Sequence, residues 1–254
     1  MADTSQEPKD AEDAAPASEG PFVDLDELGQ PLLRGVRVGG VLSGKLERFA
    51  EGKLASVFHY QAGKLHGEAT GYGPDGTVVQ RSTYADDQLH GPLEKFDETG
   101  QLLERIPYQR GRVDGELHIF EAGRLLCKQT WVAGKQQGPM WIYDDKGRPT
   151  CEIQFHAGKK HGPAVYYSPT GRVVRREVSL HGLLHGDCCE YFDSGAVREQ
   201  GRYEKGKRQG EWQLFHPNGK LARRTQFKDD APAAAPELFD DKGRRLPPEP
   251  GARP

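Results

Sequence analysis

Apolar and polar positions alternate along this chain in short stretches that recur. An aromatic side chain returns at Phe49, Tyr72, Phe96, Phe120, Tyr143, Tyr167, Tyr191, Phe215 and Phe239. Three residues before the first eight of these stand Leu46, Ala69, Leu93, Leu117, Met140, Ala164, Cys188 and Trp212. A second aromatic set, Tyr60, Tyr84, Tyr108, Trp131, Phe155, Tyr203 and Phe227, lies in the segments between, with Ser179 the exception to its spacing. Strand-length stretches rich in aromatics and bounded by glycines predict β-hairpins. Glycines at such short intervals disfavour helix.

The glycines set the period. Those closing each Gly-x-x-x-Gly segment are Gly20, Gly44, Gly67, Gly91, Gly115, Gly138, Gly162, Gly186 and Gly210, spaced by 24 or 23 residues. A second phase runs Gly29, Gly52, Gly76, Gly100, Gly123, Gly147, Gly171, Gly195, Gly219 and Gly243. A third, four residues before the first, is Gly40, Gly63, Gly111, Gly134, Gly158, Gly182 and Gly206, with Asp87 and Asp230 as substitutes. These phases hold 26 of the 32 glycines, so the period accounts for most of them. All length variation falls between the first and second phases, where 9 residues become 8 at Gly44–Gly52 and Gly115–Gly123. A length change is tolerated in an exposed hairpin loop, so that segment is assigned as the loop. The Gly-x-x-x-Gly spacing predicts a second tight turn, in which glycine or aspartate supplies a positive φ. Gly67, Gly91, Gly115, Gly138, Gly162, Gly186 and Gly210 are therefore expected as structural turn glycines.

One hairpin is marginal in water, whereas stacked hairpins bury their apolar positions on each other. The expected fold is all-β: an elongated array of about nine stacked antiparallel hairpins of 24-residue period in a single-layer twisted sheet.

The string Gly-Lys-x-His-Gly, followed by an aromatic and then Asp/Asn-x-Gly-Lys/Arg, resembles the MORN repeat in its variant form. Gly158-Lys159-Lys160-His161-Gly162 with Tyr167 and Gly171 carries it, as do Gly206-Lys207-Arg208-Gln209-Gly210, Phe215 and Asn218-Gly219-Lys220. The likeness extends over roughly residues 20–245. It implies scaffolds, membrane-proximal modules and interaction surfaces. Bacterial chains made only of variant repeats resemble the antitoxin family of toxin–antitoxin and effector–immunity pairs, and that resemblance alone supplies the label.

Composition adds boundaries. Residues 1–19 hold six acids against Lys9 and no aromatic, which predicts a disordered acidic tail. The repeat array is placed at 20–230, followed over 231–254 by a degenerate half-repeat at Phe239 and Gly243 and a Pro-rich tail. Its prolines either block an open sheet edge or belong to a frayed end. Outside the first tail, 34 bases face 32 acids, so charge points to neither nucleic acid nor an acidic membrane. The opening residues show no secretory signal and no run approaches a membrane span, so a cytoplasmic protein is expected.

Candidate chemistry is sparse. His66, His90, His161 and His185 share one phase before the turn glycine. Paired histidines in adjacent repeats could hold a metal, but no cysteine or carboxylate was found to share the phase, and solvent-facing turn residues are the preferred reading. Cys127 and Cys151 lie two strands apart and Cys188-Cys189 point to opposite faces, so free thiols are expected. Five residues after the second-phase glycines stand Arg81, Arg105, Lys128, Arg176 and Arg224, interrupted by Val57, Glu152 and Gln200. Their parity opposes that of the aromatic in the same strand, so they share the other sheet face. Such a row either grips carboxylates or phosphates of a partner or is a solvated face paired with Glu94, Glu116 or Glu190. No catalytic or cofactor motif is present, and a thin sheet gives little support to a catalytic constellation. The expected function is non-catalytic: an antitoxin or immunity protein that binds and neutralises a toxin or secreted effector. The alternative is a structural scaffold or membrane-proximal adaptor.

Overall fold

The computed structural model describes residues 19–247, and their regular structure consists of 25 β-strands with no helix. Every strand pairing is antiparallel, and the sheet is an open array of hairpins. The chain divides into two compact units. The first runs to Leu102 and includes Tyr108–Gly111; the second comprises Leu103–Pro107 and the chain from Arg112 onward.

In the first unit Gly20–Leu25, Pro31–Val38, Gly44–Ala50, Lys53–Gln61, Gly67–Tyr72, Val78–Ala85 and Gly91–Phe96 are successive neighbours. In the second the same holds for Gly115–Glu121, Arg124–Val132, Lys135–Tyr143, Pro149–His156, Lys159–Tyr167, Val173–Leu180, Gly186–Tyr191, Val197–Glu204, Lys207–Phe215 and Leu221–Lys228.

The loop of variable length takes two forms, which accounts for the 8- and 9-residue intervals. At Asp97–Gln101 the Gly100 amide donates to the Asp97 carbonyl and the Asp97 amide to the Gln101 carbonyl, while Gly100 adopts φ 82°. The Asp97 carboxylate accepts the amides of Thr99 and Gln101 at 2.8 and 2.9 Å. Asp26, Asp144 and Asp240 repeat this arrangement. Where one residue is missing, Glu51-Gly52 and Ala122-Gly123 form two-residue turns with both φ positive, at 51° and 73° and at 48° and 75°. That is the turn whose twist matches the flanking strands.

The other turn is of this two-residue kind in every repeat, for example at Ala62-Gly63 and Ala157-Gly158. Its second residue ties successive repeats together. The amides of Gly63, Asp87, Gly158, Gly182 and Gly206 donate to the carbonyls of Leu42, Leu65, Gln136, Lys160 and Leu184. Asp87 and Asp230 do more than tolerate φ of 66° and 70°: their carboxylates accept the amides of Leu65 and Arg208 at 2.7 Å. Gly67, Gly91, Gly115, Gly138, Gly162, Gly186 and Gly210 lie beyond this turn. All have positive φ, at the point where the returning strand breaks register. These glycines form bulges while the residues four positions earlier make the reversal, a refinement of the turn expected from spacing.

Register separates two faces. On the apolar face of the second unit, cross-strand neighbours include Leu117–Gln129, Met140–Ile153, Ala164–Glu177, Cys188–Gly201 and Trp212–Thr225. Cys151, Ile153 and Ala164 are buried there, packed against Met140, Ile142, Phe155 and Tyr166. Trp212, at 4% exposure, is met edge-on by Tyr203 at 5.1 Å, and Arg208 lies 4.3 Å from its ring centre. Its indole N–H donates to the Arg202 carbonyl at 3.2 Å.

Of the proposed acidic tail, residues 1–18 lie outside the described residues; Glu19 accepts the amides of Gly39 and Gly40 at 3.0 and 3.2 Å. At the other end Glu237–Leu238 pairs with Arg223 and Arg224, and Phe239 bridges Arg245 across the Asp240 loop. Residues 248–254, with the last prolines, lie outside the described residues.

Candidate binding surface

The basic positions emerge from alternation along each strand. In the second unit register places Arg105, His118, Lys128, Trp141, Glu152, Val165, Arg176, Cys189, Gln200, Gln213, Arg224 and Glu237 in one continuous cross-strand row. In the first unit the corresponding row is Arg34, Glu47, Val57, Thr70, Arg81 and Glu94. Arg34 belongs to the row because it stands five residues after Gly29, the same interval that selects the other bases; the sequence reading passed over it.

Most of the bases have partners within the sheet. Arg34 lies 3.3 Å from Glu47 and 5.3 Å from the Phe49 ring centre. Arg81 stands opposite Glu94 and lies 5.4 Å from the Phe96 ring centre. Lys128 is 3.7 Å from Glu116, whose other oxygen lies 2.7 Å from the His118 ring. Arg224 reaches Glu211 at 3.6 Å and Glu237 at 3.1 Å. Arg105 stands opposite His118 and is itself held by an interaction. Arg176 differs: it is exposed, with no hydrogen bond or ion pair among the described residues, and its register neighbours Val165 and Cys189 are neutral.

Of the acids expected opposite the row, Glu116 takes that role and Glu94 faces Arg81 in register, but Glu190 does not. It sits one residue out of phase, on the apolar face, where Arg175 donates to it at 2.8 Å and Arg198 also pairs with it. Burial opposes its ionisation, but the hydrogen bond and charge of Arg198 and the charge of Arg175 hold it below the usual glutamate range.

Beside Arg176 the surface forms a concavity of about 710 Å³, lined also by Asp187, Tyr191, Gln200, Arg202 and Gln213. Gln200 donates to Gln213 at 2.7 Å and Gln213 to the Glu211 carboxylate at 2.6 Å, linking polar side chains across two strands. These groups give a polar floor beside the guanidinium groups of Arg176 and Arg202, neither of which has a side-chain hydrogen bond or ion pair among the described residues, a geometry suited to a carboxylate.

The histidine phase has a structural role in several repeats. Residues at this phase reach the next turn: Asp114 accepts the amide of Ala133, Gln137 that of Ala157 and His185 that of Lys205, at 3.0, 3.0 and 3.5 Å. A carboxylate therefore does share the phase, since Asp114 precedes Gly115 just as His66 precedes Gly67. His66 and His90 are exposed, whereas His161 is half-buried, 5.6 Å from His156 and 5.2 Å from His181 between ring centres. Its Nδ1 is buried with no hydrogen-bond partner, which corrects the solvent-facing expectation for this residue. No group of three or more His, Cys, Asp or Glu among the described residues is arranged to hold a metal ion. The four cysteines are free; burial raises the thiol of Cys151 above its ordinary range and that of Cys188 to about 11.

The sequence profile of the MORN repeat variant matches residues 65–86, 89–110 and 208–229. Each stretch runs from just after one stitched turn to the next such turn. Three segments of the chain are thus similar to the variant MORN repeat. No curated protein matches the chain. Among solved structures, an S. aureus TarM mutant in complex with fondaparinux, α-GlcNAc-glycerol and UDP is 11% identical with a TM-score of 0.23, covering 52% of this chain and 21% of its own. A TcdB2-TccC3-TEV crystal structure is 15% identical with a TM-score of 0.21, over 87% of this chain and 12% of that one. The Photorhabdus luminescens Tc holotoxin pore is 10% identical with a TM-score of 0.16, over 86% and 14%. The chain thus spans a small part of each, and likenesses at these scores carry no argument about it.

Proposed function

We propose that this chain is a non-catalytic cytoplasmic protein that binds a partner protein on the basic face of its second unit, and that the partner is a bacterial toxin or secreted effector which it neutralises. The observation that carries the binding surface is Arg176: an unpaired guanidinium beside a fixed polar concavity of about 710 Å³. Variant MORN repeats support protein binding, and the likeness to repeat-only antitoxins supports the neutralising role. The partner's contact would be an acidic residue entering beside Gln200 and Gln213, with Tyr191 and Trp141 on the same face as aromatic anchors.

The scaffold or membrane-proximal reading draws on a different observation. Val23, Leu25, Val36 and Val38 of the first unit are exposed apolar residues on its first two strands, and such patches mark association surfaces. No helix among the described residues is long and apolar enough to cross a membrane.

The test couples two measurements. A toxin or secretion-system gene adjoining this one supplies the candidate partner, and co-expression asks whether this chain suppresses its toxicity. Arg176→Glu should then weaken measured affinity by roughly 2–5 kcal/mol, the scale for truncating or reversing a desolvated interfacial charge. The double reversal Arg81→Glu and Arg105→Glu should cost less, because Arg81 is already engaged within the sheet. A partner bound equally by all variants would remove the basic face from consideration. A chain that leaves the toxin active would remove the neutralising role.

A further inference from the structure

The apolar face carries an irregularity that the basic-face reading does not use. Seven returning strands place an aromatic at one register: Tyr60, Tyr84, Tyr108, Trp131, Phe155, Tyr203 and Phe227. Two further strands depart from it: Arg37 holds that register in Pro31–Val38 and lies 4.5 Å from the Phe22 ring centre, and Ser179 holds it in Val173–Leu180. Where the ring is missing, the second unit has a cavity of about 450 Å³, lined by Lys160, Tyr166, Arg175, Glu177, Ser179 and Leu184, with Gly182 beside them. Ser179 is 5% exposed, and its hydroxyl makes no hydrogen bond among the described residues.

The walls are prepared for a ligand with charge. Two residues before Ser179 in the same strand, Glu177 occupies a register held elsewhere by Gly35, Phe58, Ser82, Ile106, Gln129, Ile153, Gly201 and Thr225, all uncharged. It is 7% exposed, and both its oxygens are occupied, by the Tyr166 hydroxyl at 2.9 Å and by Arg175 Nε at 2.7 Å. Arg175 spends its other end on Glu190 at 2.8 Å. Lys160 is half-buried, and its ammonium has no hydrogen bond or ion pair among the described residues. The cavity therefore offers a ring-sized space, a free hydroxyl and one uncompensated ammonium, while its acid is already satisfied.

We infer that this gap receives an aromatic side chain flanked by a carboxylate, presented by an extended segment of another protein. The ring takes the place that Tyr or Phe fills in the neighbouring repeats, and the carboxylate pairs with Lys160. An extended segment is the source because all seven counterpart rings are themselves presented from extended strands on this face. The site is independent of Arg176, which lies in the same strand as Ser179 but on the opposite face.

The test uses the full chain and the capped tripeptide Asp-Tyr-Asp, with Asp-Ala-Asp and free 4-hydroxyphenylacetate as comparison probes. Backbone amide shifts are followed at Gly162, Ser179 and Gly182. Saturable shifts with the tyrosine peptide and none with the alanine peptide are expected. Ser179→Phe should abolish them while keeping or raising the melting temperature, because the ring completes the ladder. Lys160→Gln, at a half-exposed position that leaves the sheet intact, should weaken binding several-fold and serves if the phenylalanine variant misfolds. Arg176→Glu should leave tripeptide binding unchanged, so loss of the basic-face reading and loss of this one are seen separately. Absence of saturable shifts at Ser179 and Gly182, or their persistence in Ser179→Phe, overturns the inference. Tighter binding of 4-hydroxyphenylacetate than of the tripeptide overturns the protein source in favour of a free aromatic acid.

Discussion

Gly201→Ala should unfold the C-terminal hairpins of the second unit far more readily than a one-carbon change suggests. Gly201 does not sit at positive φ, so its backbone would accept alanine without strain. The obstacle is Trp212: an added Cβ would lie 2.2, 2.3 and 2.6 Å from Cδ2, Cε2 and Cγ of the indole. Carbon atoms rest at about 3.5–4.0 Å, so the ring must retreat by more than 1 Å. It has little freedom to do so, being 4% exposed and held by Tyr203, Phe227, Arg208 and its bond to the Arg202 carbonyl. Overpacking typically costs about 1–3 kcal/mol, and a lost indole hydrogen bond adds about 1 kcal/mol. A destabilisation of about 3 kcal/mol is expected, below the roughly 3–5 kcal/mol of removing the tryptophan side chain altogether. Because contacts in a repeat array are local, native-state hydrogen exchange over residues 197–228 is the appropriate assay. The decisive measurement is a double-mutant cycle. In a Trp212→Val background, Gly201→Ala should stabilise by about 0.4–1 kcal/mol, because only its effect on unfolded-chain entropy remains. A penalty of the same sign and size in both backgrounds would refute the packing argument.

Three other outcomes are expected. Asp97, Asp144 and Asp240 are held below the usual aspartate range, by the Thr99 hydroxyl, the Arg148 side chain and the Arg244 amide first among their donors. A depressed carboxyl value stabilises above the unfolded-chain value of about 3.9 and loses that contribution as pH falls through the folded values. Acid titration of the melting temperature should therefore show a limb below about pH 4, which Asp144→Ala makes shallower. At the alkaline end, burial raises Cys188 to about 11 and burial with the hydrogen bond to Glu177 raises Tyr166 to about 12. Their contributions are complete below the unfolded values of about 8.5 and 10 and fade as pH rises toward the folded ones, so Cys188→Ala should remove the earlier part of an alkaline decline. His161→Gln should raise stability by about 0.5–1 kcal/mol, because Gln137 at the same phase accepts a turn amide while His161 Nδ1 has no partner. Unchanged urea midpoints would show that this nitrogen costs nothing as it stands.

The hairpin period was legible because one residue type answers one geometric demand: a positive φ that recurs at fixed intervals selects glycine. The loop of variable length could be placed for the same reason, since Gly44–Gly52 and Gly115–Gly123 shorten only there. The division of labour within Gly-x-x-x-Gly was not legible. Ala62, Ala133 and Ala157 adopt φ of 51°, 49° and 50° in the turn, and no composition rule marks alanine for that conformation. The histidine phase misled because histidine is only one of the residue types that occupy it. Asp114, Gln137 and Gln209 share it, and what unites the set is a side chain that reaches the next turn. Alternation placed the bases on one face, but their engagement depends on which residue stands across the strand, and Glu190 is a single position out of phase with them.

In a chain built of repeated units the informative residues are those that break the pattern, and their meaning depends on what the break leaves unsatisfied. Gly201 departs from its register and is answered within the same repeat pair: the space it vacates is filled by Trp212, so the departure is structural. Asp87 and Asp230 replace glycine and are answered as well, by amides one repeat earlier. Ser179 removes a ring, and no neighbouring side chain fills the space; a cavity remains, with a free hydroxyl and the unpaired Lys160 at its wall. Arg176 continues its row without the internal partner that Arg34, Lys128 and Arg224 have. Both unanswered positions occur in the strand Val173–Leu180, one on each face. A sheet stabilised by repetition can carry such vacancies because each repeat draws its stability from its neighbours rather than from any one side chain. That strand is therefore where partner contact and fold stability can be altered separately.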